Sequence, residues 1–212
     1  MSGPEPLPPD AVRRFPGFDV LSQERHWDDV TADLIRSRTG PAPAVTFFTA
    51  PEEACAAAVF DLILGQHAEP RVPVLQMVDA RLAAGQTDGW RYEDMPEDGQ
   101  AWRDTLAYLD EDAQARCGTP FPKAPADDQK ALLRAVQESK PGHWHGLPAQ
   151  HVWSLWTRYA CTAFYSHPAA WNEIGFPGPA YPRGYKNAGV GKREPFEVRD
   201  TASSDDPIRK GD

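Results

Sequence analysis

The sequence predicts an all-α fold: a single compact helical domain with an extended N-terminal arm and an irregular C-terminal tail rich in aromatic residues, proline and glycine. Two observations predict it. Apolar residues recur at three- and four-residue spacing through most of the chain, as on one face of a helix. No stretch shows the sustained alternation of strands joined by hairpin turns. We divide the chain into the arm, residues 1–25, the helical domain, residues 26–175, and the tail, residues 176–212.

The arm differs from the first helix in composition. Its first twenty residues hold five prolines and little periodic apolarity, so they are expected to be extended. In residues 28–38, by contrast, Val30, Leu34 and Ile35 recur at helical spacing, and Gly40 follows. This pattern predicts the first helix.

The next two helices are marked by their ends. Thr49 and Glu52 have the spacing of a capping box ahead of an alanine-rich stretch, which predicts a helix over residues 51–66. A third helix is predicted over residues 74–82, where four apolar residues share one face and Gly85 is the natural stop.

Three further helices are predicted before the tail. An apolar stripe over residues 102–113 ends at Gly118, and a short amphipathic helix surrounds Leu133. Residues 148–166 are apolar almost all round, which is typical of a central or interface helix. Beyond Trp171, frequent glycine and proline exclude regular helix, yet aromatic residues continue.

Composition excludes several classes of protein. Lys and Arg number 22 against 31 Asp and Glu, and the basic residues are scattered, so no nucleic-acid partner is expected. No apolar run reaches the length of a membrane-spanning helix, so no membrane insertion is expected. The three cysteines fit neither a disulfide framework nor a CxxC motif and suit a reducing compartment.

Candidates for chemistry are weak. The GVGK stretch at residues 189–192 lacks the strand and helix of a phosphate-binding loop. His143, His145 and His151 are the best metal candidates, but an acidic or cysteine ligand at suitable spacing is not evident, and surface histidines are the simpler interpretation. Serines near histidines lack the turn that surrounds a catalytic nucleophile.

Aromatic residues, in contrast, are dense between Trp144 and Tyr185. Trp, Tyr and Arg are enriched at binding hot spots, and part of this group lies on a tail that lacks regular structure of its own. The residues of helix 148–166 fit a core equally well, whereas for the aromatic residues of the tail a protein partner is favoured.

The same region carries a family resemblance. YACTAFYSHPAAWNEIGFPGPAYPRGYKN, residues 159–187, resembles the C-terminal signature of the gluconate 2-dehydrogenase subunit 3 family. FFTAPEEACAAAVFDLILGQ resembles its opening helix, VPVLQMVDARLAAG its second, with the pair Val78 and Asp79, and DEDAQARCGTPFPKAPADDQKALL its middle block. The resemblance extends from about Thr46 to Arg199.

The resemblance implies a small helical subunit without catalytic, cofactor-binding or metal residues of its own. It would associate with a large FAD-dependent oxidoreductase of the glucose-methanol-choline (GMC) type, sometimes joined by a cytochrome c subunit. The partner would hold FAD and oxidise a sugar, sugar acid or glycoside, and the small subunit would support its folding or stability.

Location and interface complete the expectations. Many relatives carry a twin-arginine leader, but here Arg13 and Arg14 are followed by FPGFD rather than by an apolar segment. We therefore expect a cytoplasmic protein, exported only if the partner carries a signal. A stand-alone helical metal-binding protein and a self-associating scaffold remain the alternatives. The predicted partner interface is Trp153, Trp156, Tyr165, His167, Trp171, Asn172, Tyr181, Arg183 and Tyr185.

Overall fold

The computed structural model describes residues 15, 17–67, 71–139, 141–187, 189 and 192–199. Within them the regular structure is helical apart from one two-stranded hairpin, which confirms the predicted all-α class. None of the helices in these ranges combines the length and the apolarity needed to cross a membrane. The α-helices are α1 Asp29–Ser37, α2 Ala50–Leu64, α3 Val74–Ala83, α4 Asp98–Cys117, α5 Ala126–Glu138, α6 Ala149–Tyr165 and α7 Pro168–Ile174.

Two 3-10 helices and the hairpin complete the described elements. The 3-10 helices are Val20–His26 and Phe121–Lys123. The hairpin pairs β1 His143–Trp144 with β2 Leu147–Pro148 in antiparallel register.

The chain forms two compact units. The central unit is Ala42–Phe164, and the terminal unit combines both ends of the chain, Met1–Pro41 and Tyr165–Asp212. Each unit has its own buried apolar cluster. The predicted division into arm, helical domain and tail stays a prediction, because it rests on composition whereas these units rest on proximity in space.

The core of the central unit surrounds Trp102 of α4, which is fully buried. Its indole and the ring of Tyr159 from α6 pack edge to face, with 5.9 Å between ring centroids, and the centroid of the Phe60 ring from α2 lies 5.2 Å away. Trp156 of α6 is also fully buried and donates its indole N–H to Thr105 Oγ1 at 3.0 Å. The helix predicted over residues 148–166 as either central or at an interface thus contributes buried residues to this core.

A buried carboxylate attaches the loop before α2 to α3. Asp79 has no exposed surface, and its two oxygens accept the backbone N–H groups of Thr46, Phe47 and Phe48 at 2.6, 2.9 and 2.9 Å. Three hydrogen bonds to one carboxylate offset the cost of burying its charge. The loop therefore enters α2 in a fixed direction.

The ends of α2 follow the predicted chemistry. Glu52 accepts the backbone N–H and the hydroxyl of Thr49, each at 2.8 Å, so the predicted capping box is confirmed. At the other end Gly65 has φ +67°, a left-handed conformation that glycine adopts without strain.

The terminal unit begins with a difference from prediction. The arm was expected to be extended as far as residue 25, but Val20–His26 form a 3-10 helix. Asp19 caps it by accepting the Leu21 N–H at 3.0 Å, and Val20 is fully buried. Residues 1–14 and 16, which include the Arg13 and Arg14 pair, lie outside the described residues.

The apolar cluster of the terminal unit is small. In the part of the chain that the structure describes, it consists of five buried residues contributed by the first 3-10 helix, the residue that follows it, α1 and α7. Phe18, Leu21 and Phe176 pack against it. The five are Val20, Trp27, Ala32, Ile35 and Trp171.

Candidate partner-binding surface

Large apolar side chains that remain exposed are concentrated in the terminal unit. Seven are exposed among the described residues, and all except Trp90 belong to this unit. A contiguous patch of exposed apolar side chains is typical of a protein-binding surface, and these six share one compact unit. We call the six the terminal apolar set: Val30, Leu34, Tyr165, Ile174, Tyr181 and Tyr185.

The two tail tyrosines are the most exposed aromatic side chains of this set. Tyr181 is 64% exposed and Tyr185 is 60% exposed. Between Phe176 and Asn187 the tail has no helix or strand, as predicted. Tyrosine offers a large, stiff apolar face with a polar tip, which suits it to the centre of an interface.

Buried contacts hold α7 against the end of α6. The indole N–H of Trp171 donates to the carbonyl oxygen of Tyr165 at 2.6 Å, and the edge of its ring meets Phe176. His167 caps α7, because its Nδ1 accepts the Ala169 N–H at 3.1 Å. Burial lowers the pKa of His167, which keeps this nitrogen available as an acceptor near neutral pH.

Side chains also connect the tail to the start of the chain. The indole N–H of Trp27 donates to the carbonyl oxygen of Pro179 at 3.0 Å. Asn172 Oδ1 accepts the Val20 N–H at 2.8 Å. Both bonds join residues 152 positions apart in the sequence. The bond from Trp27 fixes the otherwise irregular segment that contains Tyr181 and Tyr185, and the bond to Asn172 fixes α7, which precedes that segment.

The nine predicted interface residues do not share one environment. Trp153 and Trp156 belong to the central unit, where Trp156 is fully buried and Trp153 is half-buried. The other seven lie in the terminal unit, but Trp171 is only 5% exposed and belongs to the core of that unit. His167, Asn172 and Arg183 are partly buried, so the three tyrosines are the most exposed of the nine side chains.

The three histidines considered as metal ligands have different surroundings. His145 Nε2 lies 2.8 Å from Asp112 Oδ1, and its ring stacks on Tyr108. His151 Nδ1 lies 2.8 Å from Asp94 Oδ1, and its ring stacks on Tyr92. His143 is exposed. Over the described ranges, no three His, Cys, Asp or Glu side chains are grouped to hold a metal ion.

A polar network in the central unit was not predicted. Asp88 forms ion pairs with Arg81 and Arg158, and the buried Asp98 accepts the hydroxyl of Tyr159 at 2.6 Å. Burial acts to raise the pKa of Asp88, but hydrogen bonds from the two arginines hold that pKa below its ordinary value. Asp88 and Arg158 are 70 positions apart, so no local pattern reveals their pairing.

Comparison with known proteins agrees with the resemblance noted in the sequence. The family model described as Gluconate 2-dehydrogenase subunit 3 matches residues 50–178, which is more than half of the chain. No curated protein and no solved structure matches the chain.

Proposed function

The chain belongs to the gluconate 2-dehydrogenase subunit 3 family and is thereby a small subunit of a dehydrogenase complex; from this premise we propose that it is a non-catalytic accessory subunit. Its partner in this proposal is a large FAD-dependent oxidoreductase of the GMC type. The subunit binds that partner and supports its folding and stability. The same proposal gives the pair a cytoplasmic location unless the partner carries an export signal.

The observation that carries the proposal is the terminal apolar set. Exposed aromatic side chains on a well-fixed scaffold lose little conformational entropy on binding, because their backbone positions are already determined. Tyr181 and Tyr185 are exposed on a tail that Trp27 holds through its hydrogen bond to Pro179. Covering these tyrosines would give the partner complex a free-energy gain that the isolated subunit lacks.

The way this chain uses its buried polar groups supports the proposed division of labour. Asp79 accepts three backbone N–H groups, and Asp98 accepts the Tyr159 hydroxyl, so both carboxylates have structural partners. The proposal therefore assigns the chemistry to the large subunit. There an alcohol carbon would transfer hydride to FAD while its hydroxyl proton passes to a base, leaving a carbonyl product. In complexes that also contain a cytochrome c subunit, that subunit would carry the electrons onward.

The test uses two exposed aromatic residues, one in each unit. Tyr181→Ala removes the most exposed aromatic of the terminal apolar set, whereas Trp90→Ala removes the exposed aromatic of the central unit. A hot-spot tyrosine contributes about 2 kcal/mol, so Tyr181→Ala should weaken partner capture roughly thirtyfold. Trp90→Ala should leave capture unchanged.

The measurement is gentle purification of the tagged chain from its native host, with an absorption spectrum and mass analysis of the bound proteins. A stoichiometric yellow flavoprotein active on sugars is the expected companion. A colourless homo-oligomer would instead indicate the self-associating scaffold. Equal capture by both variants and by the unmodified chain would remove Tyr181 from the interface.

A further inference from the structure

The terminal unit contains an open cavity of about 480 Å³ between the first 3-10 helix and the tail. Its lining includes three cationic side chains and one carboxylate. The aromatic ring of Phe196 forms part of the wall. The charged residues are Arg25, Arg183, Lys186 and Glu194.

The Arg183 guanidinium makes two contacts in this wall, one through a terminal nitrogen and one through its planar face. Its Nη1 donates to Gln23 Oε1 at 3.1 Å, and its guanidinium carbon lies 3.9 Å from the centroid of the Phe196 ring. The other two nitrogens, Nε and Nη2, are buried, and within the described part of the chain neither has a hydrogen-bond partner. Nε and Nη2 form one edge of the planar guanidinium, with two N–H groups pointing the same way.

The nearby carboxylate is occupied elsewhere. Glu194 is only 6% exposed, and it accepts the backbone N–H groups of Lys186 and Asn187 and the Asn187 side-chain amide. Arg25 donates its Nε to His26 Nε2 at 3.1 Å, so this bond brings no negative charge to the cavity. The cavity wall therefore keeps more positive than negative charge beside the unpaired edge of Arg183.

An unpaired charged edge in this position is costly. Burial lowers the pKa of Arg183, which reflects the loss of water around its guanidinium. Donors that are removed from water without an acceptor destabilise a fold, and charged donors do so most. A planar anion that accepts both N–H groups would remove this cost and would also be attracted by Arg25 and Lys186.

We propose that the Arg183 cavity binds a carboxylate group, which accepts two parallel hydrogen bonds from Nε and Nη2. The carboxylate belongs either to a small acid free in solution or to an acidic side chain of the partner subunit. An acidic side chain of the partner as the source rests on the proposed function, whereas a free acid as the source does not.

The first experiment uses the unmodified full-length chain. The Arg183 Nε–H resonance is assigned by NMR and followed while acetate is added at fixed pH and ionic strength, with chloride as the matched titrant. We expect a saturable shift of this resonance with acetate and none with chloride. The same signal is then followed in the partner complex without added acid.

The second experiment uses two matched variants. Arg183→Lys keeps the positive charge but removes the pair of parallel N–H donors. Loss of one charge-assisted hydrogen bond should lower the affinity for acetate about tenfold or more. Arg134→Lys makes the same change at an exposed site of α5 and should leave the affinity unchanged. Thermal melts establish whether each variant is folded. If Arg183→Lys does not fold, the acetate titration of the unmodified chain decides whether the cavity binds a carboxylate.

The outcomes separate the two sources and the two proposals. A shift with acetate alone identifies a free acid. A shift only in the complex, with weaker capture by Arg183→Lys, identifies an acidic side chain of the partner. If the complex forms normally and neither condition moves the resonance, the carboxylate site is refuted while the accessory-subunit function stands. Acetate binding by a chain that captures no flavoprotein would refute the function and leave the site.

Discussion

The two units of this chain reach stability by different routes. Among the described residues, the central unit buries 26 apolar residues in one cluster, most of them in helices that follow one another in the sequence. The described residues of the terminal unit bury five, and hydrogen bonds join the two ends of the chain there. Apolar burial contributes roughly in proportion to the area removed from water, so the terminal unit has much less of this stabilisation.

The units also differ in their exposed apolar side chains. Each unit has buried nitrogens that find no hydrogen-bond partner within the described residues, Trp102 Nε1 and Arg158 Nε in the central unit and Arg183 Nε and Nη2 in the terminal unit. Six of the seven large apolar side chains that are exposed among the described residues, however, belong to the terminal unit. A region with a small core and exposed apolar side chains gains stability when those side chains are covered. Under the proposed function, the central unit is therefore the scaffold and the terminal unit the part that recognises the partner.

The strongest test of the central unit is Asp79→Ala. The change leaves three backbone N–H groups, those of Thr46, Phe47 and Phe48, without their acceptor in a buried site. Loss of these charge-assisted hydrogen bonds should cost about 3 kcal/mol or more in the free energy of unfolding. Urea denaturation followed by far-UV circular dichroism measures it.

Asp127→Ala is the control for that measurement. Asp127 lies exposed in the first turn of α5, where its charge favours the helix dipole. Its removal should cost no more than about 0.5 kcal/mol. Similar losses for the two variants would mean that Asp79 has no special role in attaching the loop before α2.

A smaller effect is expected in the terminal unit from Gly178→Ala. Gly178 has φ +79°, and a methyl group there would overlap Cζ2 of the Trp27 ring. The left-handed backbone costs an alanine about 1 kcal/mol, and the overlap adds about 1 to 2 kcal/mol more. Native-state hydrogen exchange should show faster opening of residues 171–187, with amides of α4 unchanged.

Gly184→Ala separates the two contributions. Gly184 has φ +70° and no atom near the position of an added methyl group, so only the backbone cost of about 1 kcal/mol applies. If Gly178→Ala opened the tail no more than Gly184→Ala, the close approach of Trp27 to the tail would have no energetic weight. If α4 also exchanged faster, the two units would not be independent in stability.

The sequence predicts the central unit better than the terminal unit for a physical reason. Helical periodicity and caps are local signals, so Thr49, Glu52 and Gly118 place helix ends within a few residues of their observed positions. The 3-10 helix Val20–His26 and α7 were missed. The sequence still carried a usable sign of α7, because Pro168 stands at its first position and Gly175 ends it in a left-handed conformation.

The candidate surface shows the limit of composition. Aromatic density singles out the region that ends at Tyr185, but it does not distinguish Trp156 and Trp171, which are core residues, from Tyr181, which is exposed. Which side of an aromatic residue faces water depends on contacts made from far along the chain. The bond from Trp27 to Pro179 is one such contact, and no spacing within the tail predicts it.

The smallest predicted effect is a pH dependence confined to the terminal unit. His167 caps α7 through an unprotonated Nδ1, and burial lowers its pKa below the ordinary value of 6.5. The unfolded chain therefore binds the proton more readily than the folded chain. The contribution of His167 to the free energy of unfolding is fully present above pH 6.5. It is lost as the pH falls through the lower pKa of the folded state. The loss should be about 1 kcal/mol, the usual contribution of a helix cap.

His167→Asn isolates this effect, since asparagine can cap the helix but does not titrate. Hydrogen exchange of α7 should accelerate at acidic pH in the unmodified chain and much less in the variant, whereas the exposed His143→Asn should behave like the unmodified chain. Because carboxylates of the whole chain also titrate on acidification, the informative quantity is the difference between the two chains at each pH. A difference that stayed constant with pH would show that the cap holds equally well with His167 protonated, and the acid sensitivity of the terminal unit would then belong to its carboxylates.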